Sequence, residues 1–155
     1  MARMVVRNAL FYGRERVSAL TIPWCTYTDP EIAEVGISER EARERGVAVR
    51  TFIQPLAEVD RAILDGETNG FLKVRVRENS DRIVGATLVA KHAGETVSEL
   101  TLAIASGIGL RNIASTIHPY PTQADAIHKI ADAYNRTRLT PRVQWLLRKW
   151  LAWRR

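Results

Sequence analysis

Apolar and polar residues alternate in the middle of the chain, and this alternation predicts a β-hairpin. The segment FLKVRVR at 71–77 places an apolar residue at every second position, and IVGATLVA at 83–90 is the return strand. The polar residues ENSD between them suit a turn. Alternation with β-branched residues also predicts a strand at 47–55, and a further strand is predicted at 24–28, ended by Asp29-Pro30.

Other segments carry apolar residues at helical spacing. Ser38 and Glu41 form an S-x-x-E capping box, which predicts a helix that ends at Gly46. Longer helices are predicted in the segments 1–20, 94–107, 122–134 and 141–155. Single helical turns are predicted at 30–35, within 57–70 and at 112–116.

The order of these elements predicts the fold class. Strand, helix, strand and hairpin are followed by helices, which is typical of an α+β domain. We therefore expect a mostly antiparallel β-sheet with helices covering one face. A chain of 155 residues is long enough for one such domain with its own core.

The net charge of +6 is concentrated at one end of the chain. Of the 23 basic residues, seven lie from Arg136 onward, where there is no acidic residue, which leaves 16 basic against 17 acidic residues before it. The body is therefore close to neutral and the tail is basic. A uniformly basic nucleic-acid-binding surface is not expected from this distribution, and we predict no nucleic-acid partner.

The sequence lacks several signatures of membrane, secreted and enzymatic proteins. It has no apolar run long enough for a transmembrane helix and no secretory signal, and Cys25 is its single cysteine. The cytoplasm is therefore the expected compartment. There is no G-x-G-x-x-G, Walker A or G-x-S-x-G motif, and the three histidines lack zinc-site spacing, so no metal site is expected.

The segment TIHPYPTQAD at 116–125 is the strongest candidate for a functional site. Two prolines flank Tyr120 and stiffen the chain, and a helix is predicted to begin near Thr122. His118, Tyr120 and Asp125 bring three groups capable of proton transfer or hydrogen bonding into ten residues. A stiff loop of this kind is typical of residues that must be held in a fixed position.

Four segments in one order make the chain resemble a known family. These are IPWCTYTDPEIAEVG, the strand end VGATLVA, the helix GETVSELTLAI and the segment TIHPYPTQAD. Together they resemble the C-terminal dimerisation domain of the FAD-dependent pyridine nucleotide–disulfide oxidoreductases, over about residues 20–135. The resemblance implies a remnant helix of a preceding FAD domain at 1–20 and a dimerisation domain at 21–138, and the apolar stripe of the tail predicts a separate basic amphipathic helix at 139–155.

The resemblance also implies roles for the residues of the proline-containing segment. In that family a His-Pro loop reaches into the partner subunit's flavin site, and a glutamate five residues later orients the histidine. Aligning Pro121-Thr122 with that motif places Tyr120 at the histidine position and Asp125 at the glutamate position. Mercuric-reductase-like members of the family resemble this chain in having a tyrosine at the histidine position. The catalytic residues predicted in this way are Tyr120, His118 and Asp125, and the cofactor-binding residues are His118 and Pro119.

Each of these residues also has a purely structural interpretation. His118 could cap the following helix, and Tyr120 could be an interface packing residue. Asp125 favours the start of a helix whatever else it does. A tyrosine, with a pKa of about 10, is a poor base for a thiol near neutral pH but a good hydrogen-bond donor. Cys25, in a predicted strand, is expected to be a buried apolar residue.

Three hypotheses for the whole chain follow. The first is the homodimeric dimerisation domain of an oxidoreductase that uses FAD and NAD(P)H through further domains of the same polypeptide, with no cofactor bound by this chain and no activity alone. The second is a free-standing dimerisation or scaffold module. The third is a peripheral membrane protein, because the tail stripe of Val143, Leu146, Leu147, Trp150 and Leu151 is surrounded by arginines and could bind an anionic surface. The tail could also pack on the domain as a dimer-stabilising or lid helix.

Overall fold

Five antiparallel strands form one sheet in the order β1-β2-β5-β4-β3. The computed structural model describes residues 2–154, and only the backbone of Leu147, so the predictions for Met1, Arg155 and the Leu147 side chain lie outside the described residues. The strands are β1 (Trp24–Thr26), β2 (Glu31–Gly36), β3 (Val49–Pro55), β4 (Phe71–Arg77) and β5 (Ile83–Ala90). The predicted hairpin is confirmed as β4 and β5, at the centre of the sheet.

Seven α-helices accompany the sheet within residues 2–154. They are α1 (Ala2–Leu10), α2 (Glu39–Glu44), α3 (Asp60–Leu64), α4 (Ala93–Ala105), α5 (Leu110–Ala114), α6 (Asp125–Thr137) and α7 (Pro141–Trp153). The predicted capping box is present, because the Ser38 side chain accepts from the Glu41 amide and the Glu41 carboxylate accepts from the Ser38 amide. The α+β class and the antiparallel sheet are confirmed.

The core lies between one face of the sheet and helices α4, α5 and α6. Strand β4 contributes its alternate residues Leu72, Val74 and Val76, which are all buried, as its period of two requires. The helices contribute Leu100, Leu110, Ile127 and Ile130 to the same cluster. This packing fixes the ends of α5 and α6, and therefore the segment that joins them.

The other face of the sheet carries one buried charged residue. Arg75 on β4 is 2% exposed. It donates to Thr87 Oγ1 at 3.0 Å and to Glu34 Oε1 at 3.4 Å. Glycine is required at position 85 on β5 by two close neighbours. A Cβ there would lie 2.1 Å from the Ile37 carbonyl oxygen and 3.0 Å from Arg75 Nε. The charge is thus held by neighbouring strands and not by solvent.

Several predicted elements differ from the structure, and the helix predicted at 1–20 ends at Leu10. The helical turn predicted at 30–35 is wrong, because residues 31–36 form β2 and pair with β1 on one side and β5 on the other. The strand predicted at 24–28 ends at Thr26, and the helix predicted from Thr122 begins at Asp125. Alternation is weak in β2, because Ile32 and Ala33 are both apolar, and its strand conformation is decided by hydrogen bonds to distant neighbours.

Candidate functional site

Residues 115–124, called here the proline loop, connect α5 to α6. Side-chain hydrogen bonds hold both ends of the loop: Thr116 Oγ1 donates to the Asn112 carbonyl at 2.9 Å, and Thr122 Oγ1 donates to the Pro119 carbonyl at 2.8 Å. The peptide bond between Tyr120 and Pro121 is cis. The loop is therefore fixed by local bonds and by the packed helices at its two ends.

Tyr120 is the side chain that the proline loop presents outward. It is 71% exposed, and its hydroxyl donates to Asp60 Oδ2 at 2.8 Å. Asp60 is the first residue of α3 and so links the loop to a second element. The bond to Asp60, and then the negative charge of that carboxylate, raise the pKa of the Tyr120 phenol. Tyr120 therefore suits a hydrogen-bond donor better than a base.

His118 faces the interior side of the loop. Its side chain is 8% exposed, and its Nε2 lies 3.0 Å from Glu99 Oε1 on α4. Its Nδ1 lies 3.1 Å from the Thr116 carbonyl oxygen, so each ring nitrogen faces an oxygen acceptor. Both contacts are hydrogen bonds when both nitrogens carry a hydrogen. The His128 ring on α6 is its neighbour, with 5.3 Å between ring centroids.

Asp125 lies at the start of α6 and pairs with Lys129, with 3.7 Å between the carboxylate and the ammonium. Its charge contributes in a minor way to raising the Tyr120 pKa. Among the hydrogen bonds of residues 2–154, its carboxylate bonds neither Tyr120 nor His118. The structure thus gathers the three predicted residues around one loop but pairs each with a different partner.

Sequence reasoning missed the two carboxylates that hold the loop. Asp60 and Glu99 lie far from the loop along the chain, in α3 and α4. Neither stands in a motif with His118 or Tyr120, so no local pattern could have identified them. Their positions follow from the packing of α3 and α4 beside the loop.

Exposed apolar side chains border the proline loop on both sides. Ile117 within the loop is 95% exposed. Leu102 lies about one turn beyond Glu99 on α4, and Leu64 lies about one turn beyond Asp60 on α3; both are exposed. We call Leu64, Leu102, Ile117 and Tyr120 the loop patch. Exposed apolar side chains on the loop and on both helices bonded to it make this surface a candidate for contact with another molecule.

A groove of about 550 Å³ lies beside the loop, between α3, the start of α4 and Thr122. Its two long basic side chains are already paired, Arg61 with Asp65 and Lys91 with Glu67, each at 2.7 Å. Within the described part of the chain, no three His, Cys, Asp or Glu side chains form a metal-binding group. The groove therefore offers balanced charge, and the loop patch remains the more distinctive surface.

We expect an Asp60→Asn change to lower the pKa of Tyr120, because it removes the negative charge and keeps an oxygen acceptor. A raised phenol pKa stabilises the native state below the pKa of the unfolded chain, about 10, and that contribution is lost as the pH rises through the native pKa. The check is the near-ultraviolet phenolate titration of both proteins, with the matching Tyr120→Phe titrations subtracted. Identical titrations would contradict the hydrogen bond.

Residues 22–131 match the family described as "Pyridine nucleotide-disulphide oxidoreductase, dimerisation domain". The match covers all five strands of the sheet, the helices α2 to α5, the proline loop and the first half of α6. It leaves out α1 and α7.

Curated relatives agree with this match. The chain is 32% identical to a mercuric reductase of Staphylococcus aureus over 133 residues, which are 86% of this chain and 24% of that protein. It is 37% identical to a dihydrolipoyl dehydrogenase of the same organism over 128 residues, 83% of this chain and 27% of that protein. The chain thus spans about a quarter of the length of the curated relatives it matches.

Solved structures show the same fold. LpdA from Mycobacterium tuberculosis is matched with a TM-score of 0.79 and 28% identity, over 85% of this chain and 29% of that one. The HOCl-induced flavoprotein disulfide reductase RclA from Escherichia coli is matched with a TM-score of 0.77 and 23% identity, over 84% of this chain and 30% of that one. At that lower identity the likeness shows the fold alone. The family match and the relatives' sequence identity show that this chain belongs to the dimerisation-domain family of the pyridine nucleotide-disulphide oxidoreductases.

Proposed function

We propose that the chain serves as the homodimerising part of an oxidoreductase that uses FAD and NAD(P)H bound by further domains. The family match over residues 22–131 supports this, as do the relatives named mercuric reductase and dihydrolipoyl dehydrogenase. The observation that carries the proposal is the proline loop, a stiffly held segment that presents Tyr120 inside an exposed apolar patch. On this proposal the chain has no activity alone.

In the assembled enzyme, Tyr120 is the group that meets the partner subunit's flavin site. Its single O–H stays protonated near neutral pH and donates to Asp60 in this structure, so it becomes a hydrogen-bond donor in the partner's site when it exchanges Asp60 for an acceptor there. His118 holds the loop in place through Glu99 and is a positioning residue. Asp125 contributes charge near the phenol and pairs with Lys129.

The loop offers groups that fit a flavin, although it carries Tyr120 at the position where the family motif has a histidine. His118 has both ring nitrogens engaged, and Pro119 has no amide hydrogen, so these two residues offer carbonyl oxygen and an apolar ring surface. A flavin ring presents an N–H edge and a flat apolar face to such groups. FAD supplies the electron transfer when bound, and this chain positions Tyr120 and excludes water from one side.

Dimer formation through the loop patch is the part of the proposal that can be tested on this chain directly. We expect sedimentation equilibrium to give about twice the 17.5 kDa of one chain. An Ile117→Asp change places a charge in the centre of the patch, and we expect it to weaken the dimer by at least about 100-fold. Circular dichroism would show that the fold is kept.

The matched control is Ile53→Asp on the edge strand β3, an exposed isoleucine outside the loop patch. We expect this variant to dimerise as the unmodified chain does. A monomer at all accessible concentrations, or equal weakening by both variants, would overturn the assignment of the loop patch as the dimer surface.

A further inference from the structure

Helix α7 lies outside the residues that match the family, and its described side chains are exposed. The match ends at residue 131, while α7 spans Pro141–Trp153. The helix has its own start signal, because Thr140 Oγ1 accepts from the Val143 amide and proline occupies the first turn. All of its described side chains are exposed, including three tryptophans. A helix of this length has little stability alone in water, so it needs a surface to cover it.

One side of α7 is apolar, and the basic residues lie at its flank and on the opposite side of the helix. Val143, Leu146, Trp150 and Trp153 recur at spacings of three and four and so share one face. Arg148 lies on the opposite side of the helix, and Arg142 and Lys149 lie at the flank of the apolar face. No acidic residue is present from Arg136 onward, so the charge of this surface is uniformly positive.

The basic groups of α7 rest on its indole rings. Lys149 Nζ lies 4.2 Å from the centroid of the Trp145 ring, and Arg154 Cζ lies 4.9 Å from that of Trp150. In this arrangement the aromatic ring can enter an apolar layer while the cation beside it stays at the polar boundary. Tryptophan and arginine together are typical of helices that lie at a membrane interface.

The dimensions of α7 decide between spanning a bilayer and lying on it. A helix of 13 residues is about 20 Å long, and the hydrocarbon core of a bilayer is about 30 Å thick. None of the helices in residues 2–154 has the length and apolar character needed to cross a membrane. An anionic bilayer surface would cover the apolar face of α7 and neutralise its charge at the same time.

We propose that α7 docks this protein onto an anionic lipid surface, with Trp150 and Trp153 inserted at the headgroup boundary and the basic residues facing lipid phosphates. This inference goes beyond the proposed dimerisation and does not depend on it. Since the body of the chain is near neutral, the attraction comes from the tail alone.

The test is co-sedimentation of the 155-residue chain with vesicles of phosphatidylcholine, alone or mixed with phosphatidylglycerol. We expect binding to the mixed vesicles at about 0.1 M salt and its loss at about 1 M, where the screening length falls from about 10 Å to about 3 Å. Reversing Arg148 and Lys149 to glutamate should reduce binding by more than about 30-fold, since each basic residue near the surface contributes about fivefold.

Matched changes elsewhere in the chain serve as controls. Trp150 is 48% exposed and Trp24 on β1 is 50% exposed. We expect Trp150→Ala to weaken vesicle binding about tenfold and to remove part of the blue shift in tryptophan emission, and Trp24→Ala to leave binding unchanged. Reversing Arg40 and Arg43 on α2 changes the net charge equally and should have a small effect.

Three outcomes would overturn the proposal. The first is no binding of the unmodified chain to anionic vesicles at low salt. The second is equal loss of binding in the α2 and α7 charge variants, which would mean a general charge effect. The third is dissociation of the dimer by Trp150→Ala without lipid, which would mean that a second copy of the chain covers α7.

Discussion

In the complete flavoenzyme proposed above, a Tyr120→Phe change is expected to lower turnover about 100-fold, with the fold and the proposed dimer unchanged. This size is typical of the loss of one hydrogen-bond donor directed at the reacting groups. The phenol is exposed, and phenylalanine keeps its ring while removing its single O–H, which bonds Asp60 in this structure and is the donor that the proposal directs at the flavin site. Steady-state turnover with NADH or NADPH and the acceptor that the enzyme reduces is the measurement.

The control for this prediction is Tyr27→Phe, because Tyr27 is an exposed tyrosine of the same domain that lies outside the proline loop. We expect it to be as active as the unmodified enzyme. Equal turnover in the Tyr120 variant and this control would mean that Tyr120 only packs at the dimer interface. A split between kcat and KM would separate loss of chemistry from loss of binding.

The second large effect concerns the buried guanidinium on the outer face of the sheet. We expect Arg75→Ala to lower the free energy of unfolding by about 3 kcal/mol, because it removes the cation that pairs with Glu34 and leaves that partly buried carboxylate with only the Thr87 hydroxyl as a donor. Burial lowers the pKa of the Arg75 guanidinium and the charge of Glu34 opposes that shift. The measurement is urea denaturation at neutral pH.

Two further variants identify the cause of that loss. Replacing Arg75 by methionine together with Glu34 by glutamine removes both charges and keeps the volume, and we expect the free energy of unfolding to fall by less than about 1.5 kcal/mol. Arg45→Ala breaks an exposed pair with Glu41 and should cost about 0.5 kcal/mol or less. A double variant as unstable as Arg75→Ala would show that the effect comes from the lost hydrogen bonds of Arg75 and not from an unpaired charge.

Local patterns in the sequence predict much of the fold. The alternation in β4 and β5 and the capping box of α2 each have a cause within a few residues, and the structure confirms them. The prediction for β2 is wrong because the conformation of this strand depends on β1 and β5. The predicted start of α6 is three residues early. Residues 122–124 form turns, and their amino-acid composition is also common in helices, so the sequence does not separate them from α6.

The candidate site is predictable only in part for the same reason. The spacing of the prolines is a local feature, and it is enough to identify the loop and its tyrosine. The partners Asp60 and Glu99 are joined to the loop by tertiary packing, which leaves no trace in the local sequence. His118 points inward because its ring lies against Glu99. A comparison of motifs alone does not predict the orientation of a side chain.

The central position of the hairpin has a consequence for how the chain folds. Strands β4 and β5 are neighbours both in sequence and in the sheet. Strand β2 pairs with β5 although the two strands are far apart in the sequence, as the pair Ala33 and Leu88 shows. Closing a short loop costs less entropy than closing a long one. The hairpin is therefore the element that can form first, and β2 and β3 then add to its two open edges as the slower, non-local steps.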